Sequence, residues 1–421
     1  MEQKIYNEYV EILKEELLPA MGCTEPIAVA YAAAVAVQAL GEKPESVEVN
    51  VSANIIKNVK SVVVPCTGGL RGIGAAVCAG IVSGCPEKEL EILEEITGEQ
   101  KVEMKKMLDT MPMTIRESDK EYIFDIQIKA CAGGHSGYVE IAGFHTNVIC
   151  VKKDDEIIRE KAYEEQGSSC ATDRSLLTVE KIIEFADCVD VADVEEVLQR
   201  QIDYNWAIAE EGMTGNWGAA IGKTLMEAYG NSVHNRAKAM AAAGSDARMN
   251  GCELPVVINS GSGNQGMTTS LPVIVYAKEL NVSKEMMLRA LVVSNLITIH
   301  MKTGIGRLSA YCGAISAGCG AGAGICYLYG GRAYEISHVI VNAVAINSGV
   351  VCDGAKASCA AKIASAVEAG LLGLQMQKNG KQFYGGDGLV EKGVENTIRN
   401  IGELAKKGMR ETDKTIIQII T

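Results

Sequence analysis

The carboxy-terminal third of the sequence is rich in cysteine, a side chain that can ligate a metal, act as a nucleophile or fill a packed core. Two series have a spacing of seven residues: Cys312, Cys319 and Cys326 form the first, and Cys352 and Cys359 form the second. On one straight helix, seven residues separate successive sulfurs by about 10 Å, which is too far for neighbouring ligands of one compact cluster. We therefore expect at most one ligand from the first series, unless glycines break the helix.

The segment 352–359 contains an Asp-Gly pair, a turn signal that allows both of its thiols to reach one metal. Two interpretations stay open, which are ligation of a metal or cluster and a pair of buried thiols in a packed core. The scattered cysteines elsewhere, Cys170 among them, show neither the close pairs nor the neighbouring histidines of a zinc finger. A zinc ribbon or finger is therefore not expected.

Cys23 lies in the segment 21–26, MGCTEP, immediately before a small-residue stretch that predicts a helix from about residue 27 to residue 40. Thr24 could cap this helix, with Pro26 in its first turn. A helix amino terminus lowers the pKa of a nearby thiol, which makes Cys23 a candidate base or nucleophile. A turn cysteine that fills a gap beneath the helix is the alternative.

A polar, glycine-rich segment, NSGSGNQG at 259–266, follows an apolar run. Its glycines allow close approach of the backbone to a ligand, and Ser260, Ser262, Asn264 and Gln265 can bind a carboxylate or an amino group. The lysine and hydroxyl of a phosphate-binding loop are absent, so a nucleotide is not expected here. A plain connection between two helices is the alternative interpretation.

A second polar segment, SANIIKN at 52–58, is predicted to end a strand and contains Asn54 and Lys57. Lys57 or Arg71 could clamp a carboxylate, although solvated surface charge explains either residue as well. The histidines lie far apart in the sequence, and no GxSxG elbow accompanies them, so a hydrolase triad is not expected. Among them only His135 is kept as a candidate.

Composition restricts the classes of partner. The formal net charge of -13 opposes binding to nucleic acid. The first residues interleave charged and apolar side chains at helical spacing, unlike a signal peptide, so we expect a cytoplasmic protein whose cysteines are thiols. The uncharged stretch 308–331 is rich in glycine and lacks the leucine-type hydrophobicity of a membrane span.

The predicted fold class is α+β, with a mostly helical bundle domain that carries the cysteine site and an inserted smaller α+β domain. Residues 45–172 form the insertion, because β-branched alternation predicts strands in SVEVNVSANI, SVVVPC, YIFDIQIKAC, SGYVEIAGF and NVICVKK. Residues 1–44 and 173–421 form a discontinuous all-α domain, in which helical periodicity predominates. The helix after Cys23 is expected to pack into that bundle.

On the segments 21–26, 54–58 and 260–266, and on the three cysteines Cys312, Cys352 and Cys359, the sequence resembles the L-cysteine desulfidase family nearly end to end. The helical part is also similar to the alpha domain of the bacterial iron–sulfur L-serine dehydratases. In the dehydratases more residues separate the last two of the three cysteines. The spacing of seven residues between Cys352 and Cys359 therefore favours the desulfidases.

The resemblance implies a 4Fe-4S cluster held by Cys312, Cys352 and Cys359, with one iron that has no protein cysteine ligand. No cysteine follows Cys359 in this sequence, whereas a late cysteine covers that iron in the dehydratases. Cys23 is the implied acid/base residue. The implied substrate-binding residues are Asn54, Lys57, Ser260, Ser262, Asn264 and Gln265.

The activity implied by this resemblance is cleavage of L-cysteine to hydrogen sulfide, ammonia and pyruvate. L-serine or L-threonine dehydration by the same cluster is the alternative within enzymes, and a non-catalytic sensor that carries the cluster is the alternative outside them. The expected partner is a small amino-acid substrate, with no nucleic acid and no membrane. A homo-oligomer is left open.

Overall fold

The computed structural model of the chain describes residues 1–163, 172–306 and 308–420, and Cys170 lies outside them. The α-helices, in chain order, are α1 Gln3–Glu16, α2 Thr24–Leu40, α3 Ala53–Val59, α4 Gly72–Ser83, α5 Gly98–Thr110, α6 Val179–Cys188, α7 Glu195–Thr214, α8 Ile221–Tyr229, α9 Val233–Met249, α10 Gly263–Glu279, α11 Lys284–Ile305, α12 Ala314–Leu328, α13 Ala333–Ile346, α14 Cys359–Lys378, α15 Val394–Glu403 and α16 Arg410–Ile420. The strands are β1 Pro19–Met21, β2 Ser46–Val51, β3 Met113–Glu117, β4 Asp125–Ala132, β5 His135–Ala142, β6 Val148–Lys153, β7 Glu156–Glu160 and β8 Pro255–Val257. The predicted α+β class with a helical bulk is confirmed.

Six strands form one mixed sheet in the order β3-β2-β4-β5-β6-β7. Strand β3 runs parallel to β2, and the other neighbours are antiparallel. Alternation explains the pairing, because Val47, Val49 and Val51 of β2 all point to the buried face. Four of the five predicted strand segments therefore contain strands.

The fifth segment, SVVVPC at 61–66, was predicted to be a strand, and this prediction is wrong. Only an isolated bridge between Val63 and Arg71 forms there. Pro65 cannot donate to a ladder, and Cys66 has a left-handed φ of 59°, so extended pairing stops. The neighbouring segment 52–58, predicted as a strand end, instead forms the short helix α3.

Helix α2 packs against β4, β5 and α4, so its predicted place in the helical bundle is wrong. Two glycines make this packing close: a Cβ on Gly80 of α4 or on Gly137 of β5 would overlap backbone carbonyl oxygens of α2. Because α2 is apolar on every side, no polar stripe in its sequence shows which face is exposed. The sequence therefore does not reveal which elements α2 packs against. The division of the chain after residues 44 and 172 stays a prediction.

Helix α12 lies among α10, α11, α13 and α14. Its glycines permit this, since a Cβ on Gly320 would overlap the side chain of Thr298 on α11. The uncharged stretch 308–331 is mostly this one helix of 15 residues. Within the part of the chain that the structure describes, no helix combines the length and the apolar character needed to cross a bilayer.

One continuous cluster of buried apolar side chains includes residues of α1, α2, the sheet and the bundle helices. The small antiparallel pair of β1 with β8 lies where the amino-terminal and helical parts meet. This pair joins the segment before Cys23 to the segment before residue 259.

Candidate active site

A cavity of about 110 Å³, open to solvent, lies at this junction. Eight of the ten residues predicted from the sequence line it. They are Cys23, Ser260, Ser262, Asn264, Gln265, Cys312, Cys352 and Cys359. The convergence is tertiary, because these residues come from four separate segments of the chain.

The pair of β1 with β8 brings Cys23 close to the polar loop. Met21 pairs with Pro255, so the chain enters α2 and the polar loop side by side. The hydroxyl of Thr24 then donates a hydrogen bond to the carbonyl oxygen of Gly261, at 3.0 Å. Helix α2 begins at Thr24, earlier than predicted, and Cys23 rather than Thr24 is its N-cap residue.

The polar loop is a tight turn that leads into α10. Ser260 adopts a left-handed φ of 51°, which the surrounding structure must hold in place. A buried amide network does so: Asn259 donates to Asn295 Oδ1 at 2.9 Å, and Asn295 exchanges hydrogen bonds with Gln201 on α7. The turn therefore aims the amino terminus of α10, the positive end of its dipole, at the cavity.

The loop residues Asn264 and Gln265 are in fact the first turn of α10, not a free connection. Ser262 is the N-cap residue, and its side chain makes no capping hydrogen bond. Gln265 contacts Gly313, where an added Cβ would lie 2.6 Å from the amide carbon of Gln265. This contact couples the first turn of α10 to the residue next to Cys312.

Two of the three cysteines are brought together by a short antiparallel contact. Tyr311 bridges to Val351, and Cys312 N–H donates to the Val350 carbonyl oxygen at 3.0 Å. Cys312 follows Tyr311 and Cys352 follows Val351 in the chain. The two cysteines therefore lie on the same face of this antiparallel contact, as diagonal neighbours. Cys359 reaches the cavity from another direction, as the first residue of α14.

Burial raises the pKa of the Cys312 thiol to about 12, and the neighbouring Cys352 thiol adds to this rise. Burial also raises the pKa of Cys359. Lys356 and Lys362 offset part of this effect at Cys359. Burial opposes ionisation of Asp353, yet hydrogen bonds from both lysines hold its pKa at about 2. The thiols therefore share a pocket in which two ammonium groups favour thiolates.

These residues fit the requirements of an iron–sulfur cluster. Cysteine thiolates are the usual ligands of such a cluster, and three cysteines are present here. The ammonium groups of nearby lysines offset the negative charge of thiolates. Cys319 and Cys326 are buried inside α12 and do not line the cavity, as the helical spacing predicted. Across residues 1–163, 172–306 and 308–420, no three His, Cys, Asp or Glu side chains are already close enough to hold a metal ion.

Cys23 donates a hydrogen bond through Sγ to Glu25 Oε2, at 3.2 Å. Burial raises the pKa of the Cys23 thiol well above its ordinary value, and the carboxylate of Glu25 raises it further. Arg248 offsets only part of this rise. The lowered pKa predicted from the helix terminus is therefore wrong, because burial and the nearby carboxylate outweigh the helix dipole.

Several candidates lie away from the cavity lining. Lys57 forms an ion pair with Asp413 of α16 at 2.5 Å, and Asn54 is buried in α3. Arg71 donates to a backbone carbonyl in its own loop, and the exposed His135 pairs with Asp154. The predicted substrate-binding role of Asn54 and Lys57 stays a prediction that this geometry does not favour.

The cavity also contains residues that the sequence reading missed. Arg248, Tyr311 and His145 line it. For Arg248 a signal was present, since it is a lone arginine at the end of a run of alanine and small residues in α9. For His145 and Tyr311 no sequence signal distinguished them from structural residues.

Comparison with known proteins identifies the family of this chain. Residues 87–418 match the family described as serine dehydratase alpha chain. A UPF0597 protein of Desulfitobacterium hafniense is 59% identical over 419 residues, which cover 100% of this chain and 97% of that protein. A UPF0597 protein of Lachnoclostridium phytofermentans is 50% identical, with 99% of this chain and 100% of the relative covered.

The match confirms the predicted kinship with the serine dehydratases, which are lyases of amino acids. The narrower kinship with the L-cysteine desulfidases stays a prediction. On the family match and on relatives of high identity along its whole length, this chain belongs to the serine dehydratase alpha chain family.

Proposed function

We propose that this chain is an iron–sulfur-dependent lyase that removes the β-substituent of a small L-amino acid, with L-cysteine as the favoured substrate. The observation that carries the proposal is the convergence of Cys312, Cys352 and Cys359 on the cavity that also contains Cys23 and Glu25. The products are hydrogen sulfide, ammonia and pyruvate. L-serine dehydration is the second candidate, and the family match favours it.

Cys312, Cys352 and Cys359 would hold a 4Fe-4S cluster. When bound, the cluster supplies a Lewis-acid iron that draws electron density from the departing β-substituent. Lys356 and Lys362, through their ion pairs with Asp353, fix positive charge beside the thiols. The protein therefore balances the charge of the ligands before substrate arrives.

The first turn of α10 binds the polar end of the substrate in this proposal. Free N–H groups at a helix amino terminus and the helix dipole favour a carboxylate. Ser260, Ser262, Asn264 and Gln265 place hydroxyl and amide groups around the same point, where they can also accept hydrogen bonds from an ammonium group.

Cys23 and Glu25 move the α-proton. The thiol proton passes along the 3.2 Å hydrogen bond to Glu25 Oε2, and Sγ then takes the proton from the α-carbon. Asn58 donates to the other oxygen of Glu25 at 3.3 Å and orients the carboxylate. The C–H electrons form the Cα–Cβ double bond as sulfide leaves, and the aminoacrylate hydrolyses to pyruvate and ammonia.

The test is anaerobic purification followed by assays of L-cysteine, L-serine and L-threonine side by side. We expect sulfide and pyruvate in equal amounts from L-cysteine, at a higher kcat/KM than for pyruvate from the hydroxy amino acids. Faster turnover of L-serine would instead identify a dehydratase. A brown protein that turns over none of the three would contradict the proposal and favour the sensor.

The ligand assignment has its own matched controls. Cys352→Ser and Cys359→Ser should each remove most of the iron, because a thiolate ligand is lost. Cys319→Ser and Cys326→Ser should keep it, because these thiols lie inside α12. Iron retained in both of the first two variants would refute the assignment.

A further inference from the structure

Arg248 lies in the last turn of α9, 2% exposed, and it lines the cavity. One of its terminal nitrogens, Nη1, donates to Asn264 Oδ1 at 3.2 Å. Nε and Nη2 are buried, and neither has a hydrogen-bond partner among the residues that the structure describes. The guanidinium thus presents two unfilled donors inside a closed part of the site.

A buried cation without a partner costs several kcal/mol, so folded proteins pair such groups with an anion. No carboxylate within the described ranges forms an ion pair with Arg248. Glu25 accepts hydrogen bonds from Cys23, Thr24 and Asn58 instead. Within the described ranges the free donors of Arg248 therefore have no anionic partner, and they are available to an anion that enters the cavity.

The geometry of the free donors specifies the kind of anion. Nε–H and the nearer N–H of Nη2 point in parallel from one edge of the planar guanidinium, and that edge matches the two oxygens of a carboxylate. Gly263 lies against the guanidinium group, since a Cβ there would overlap Nε. The glycine lets the guanidinium lie directly against the first turn of α10, whose N–H groups favour the same anion.

We propose that Arg248 and the first turn of α10 form a carboxylate subsite that restricts the cavity to small ligands with a free carboxylate. The proposal rests on the proposed function only in identifying this carboxylate as that of the amino-acid substrate. Arg248 binds the carboxylate side-on through Nε and Nη2. The hydrogen bond to Asn264 holds the guanidinium in the plane of the carboxylate. Amines and amides of the same size lack a carboxylate, so the subsite excludes them.

The experiment measures binding of propionate and of propionamide, which have the same shape, to the anaerobically purified full chain by ligand-observed NMR at constant ionic strength. The parent should bind propionate at least tenfold more tightly than propionamide. Arg248→Gln should weaken propionate binding about 10- to 100-fold, the range for a charged hydrogen-bonded contact. Propionamide binding should change little.

Arg248→Lys keeps the charge but loses the fork, so it should bind propionate with an affinity between those of the parent and Arg248→Gln. Arg236→Gln is the matched control, because Arg236 is on the same helix and pairs with Glu279 outside the cavity. It should bind propionate as the parent does.

Equal affinity of the parent for propionate and propionamide would overturn the subsite, and this comparison requires no variant to fold. Unchanged propionate binding by folded Arg248→Gln would overturn it as well. Neither readout needs turnover, so a parent that binds propionate but cleaves no amino acid refutes the proposed function and supports the subsite. In an active enzyme, Arg248→Gln should raise KM more than it lowers kcat.

Discussion

The thiol of Cys23 illustrates how a single residue depends on its surroundings. It caps α2 at a helix terminus, yet it is buried and shares its proton with Glu25. Burial disfavours a free thiolate, so in the proposed mechanism the base forms by proton transfer to the neighbouring carboxylate. Catalytic proton transfer in this arrangement needs both residues.

Cys23→Ala should keep the iron and the fold but lower kcat about 10²- to 10⁴-fold, the usual contribution of a general acid or base. Substrate binding should change less. The measurement is kcat and KM together with iron content, and Cys78→Ala, which removes a buried thiol outside the cavity, is the control. A raised KM with unchanged kcat would mean that Cys23 positions substrate, and no change in either would mean that it is structural.

Asp246 is a second residue whose burial has a measurable consequence. Burial raises the pKa of its carboxyl from 3.8 to about 6, against hydrogen bonds from the backbone N–H groups of Gly222 and Ile221. The folded state therefore binds this proton more tightly than the unfolded state. Between about pH 4 and pH 6 the contribution of Asp246 to stability falls as pH rises.

Asp246→Asn removes this titration and keeps an oxygen to accept from Gly222. The Tm of the variant minus the Tm of the parent should therefore increase from pH 4.5 to pH 7, as measured by thermal unfolding. Asp173→Asn should give a nearly flat difference over this range, because hydrogen bonds from Ser175 lower the pKa of Asp173 and its titration therefore lies below about pH 4. A difference for Asp246→Asn that is flat across this range would contradict the assignment.

At the scale of elements, the loop between Cys352, which follows the bridged Val351, and helix α14 rests on α3. Gly354 makes this contact possible: its φ is +96°, and an added Cβ would overlap the carbonyl oxygen of Lys57. Lys57 is itself tied to α16 through Asp413. The short helix thus supports the loop that carries two of the three proposed cysteine ligands.

Gly354→Ala should displace this loop and lower the iron content, because both the left-handed backbone and the space beside α3 are lost. The backbone strain alone costs about 1–3 kcal/mol. Gly386→Ala is the matched control, since Gly386 has a φ of +105° and open space around it. Iron analysis and Tm of both variants decide the question, and equal iron retention would show that contact with α3 is unimportant.

At the scale of the whole molecule, the site draws on both ends of the chain. Cys23 and Glu25 come from the start of α2 and Cys359 from the start of α14, and a small apolar cluster with Val62 and Met249 brings Cys23 and Cys359 together. The mixed sheet contributes His145 from the connection after β5. Cluster binding should therefore depend on the intact fold rather than on one segment.

Anaerobically prepared protein should be brown, with about four irons per chain, and air should bleach and inactivate it. An iron without a cysteine ligand is the one most easily oxidised and lost. Iron content, visible absorbance and turnover before and after reconstitution with iron and sulfide under reductant provide the measurement. A colourless preparation that is fully active in air would refute the cluster.

The sequence by itself determined the elements with strong local signals. Alternation located β2, β4, β5 and β6, and seven-residue spacing limited the series Cys312, Cys319 and Cys326 to at most one ligand, because a helix separates their sulfurs. Turn chemistry at residues 259–266 and 352–359 indicated the loops that line the site. Such features depend on neighbours along the chain, which a sequence displays directly.

Only the tertiary structure decided which surfaces meet. Helix α2 packs against the sheet, Lys57 pairs with a carboxylate far along the chain, and Arg248 enters the cavity from α9. The pKa of Cys23 likewise rises because of burial that no spacing reveals. Burial and charge pairing depend on contacts between distant segments, so they exist only once the chain has folded.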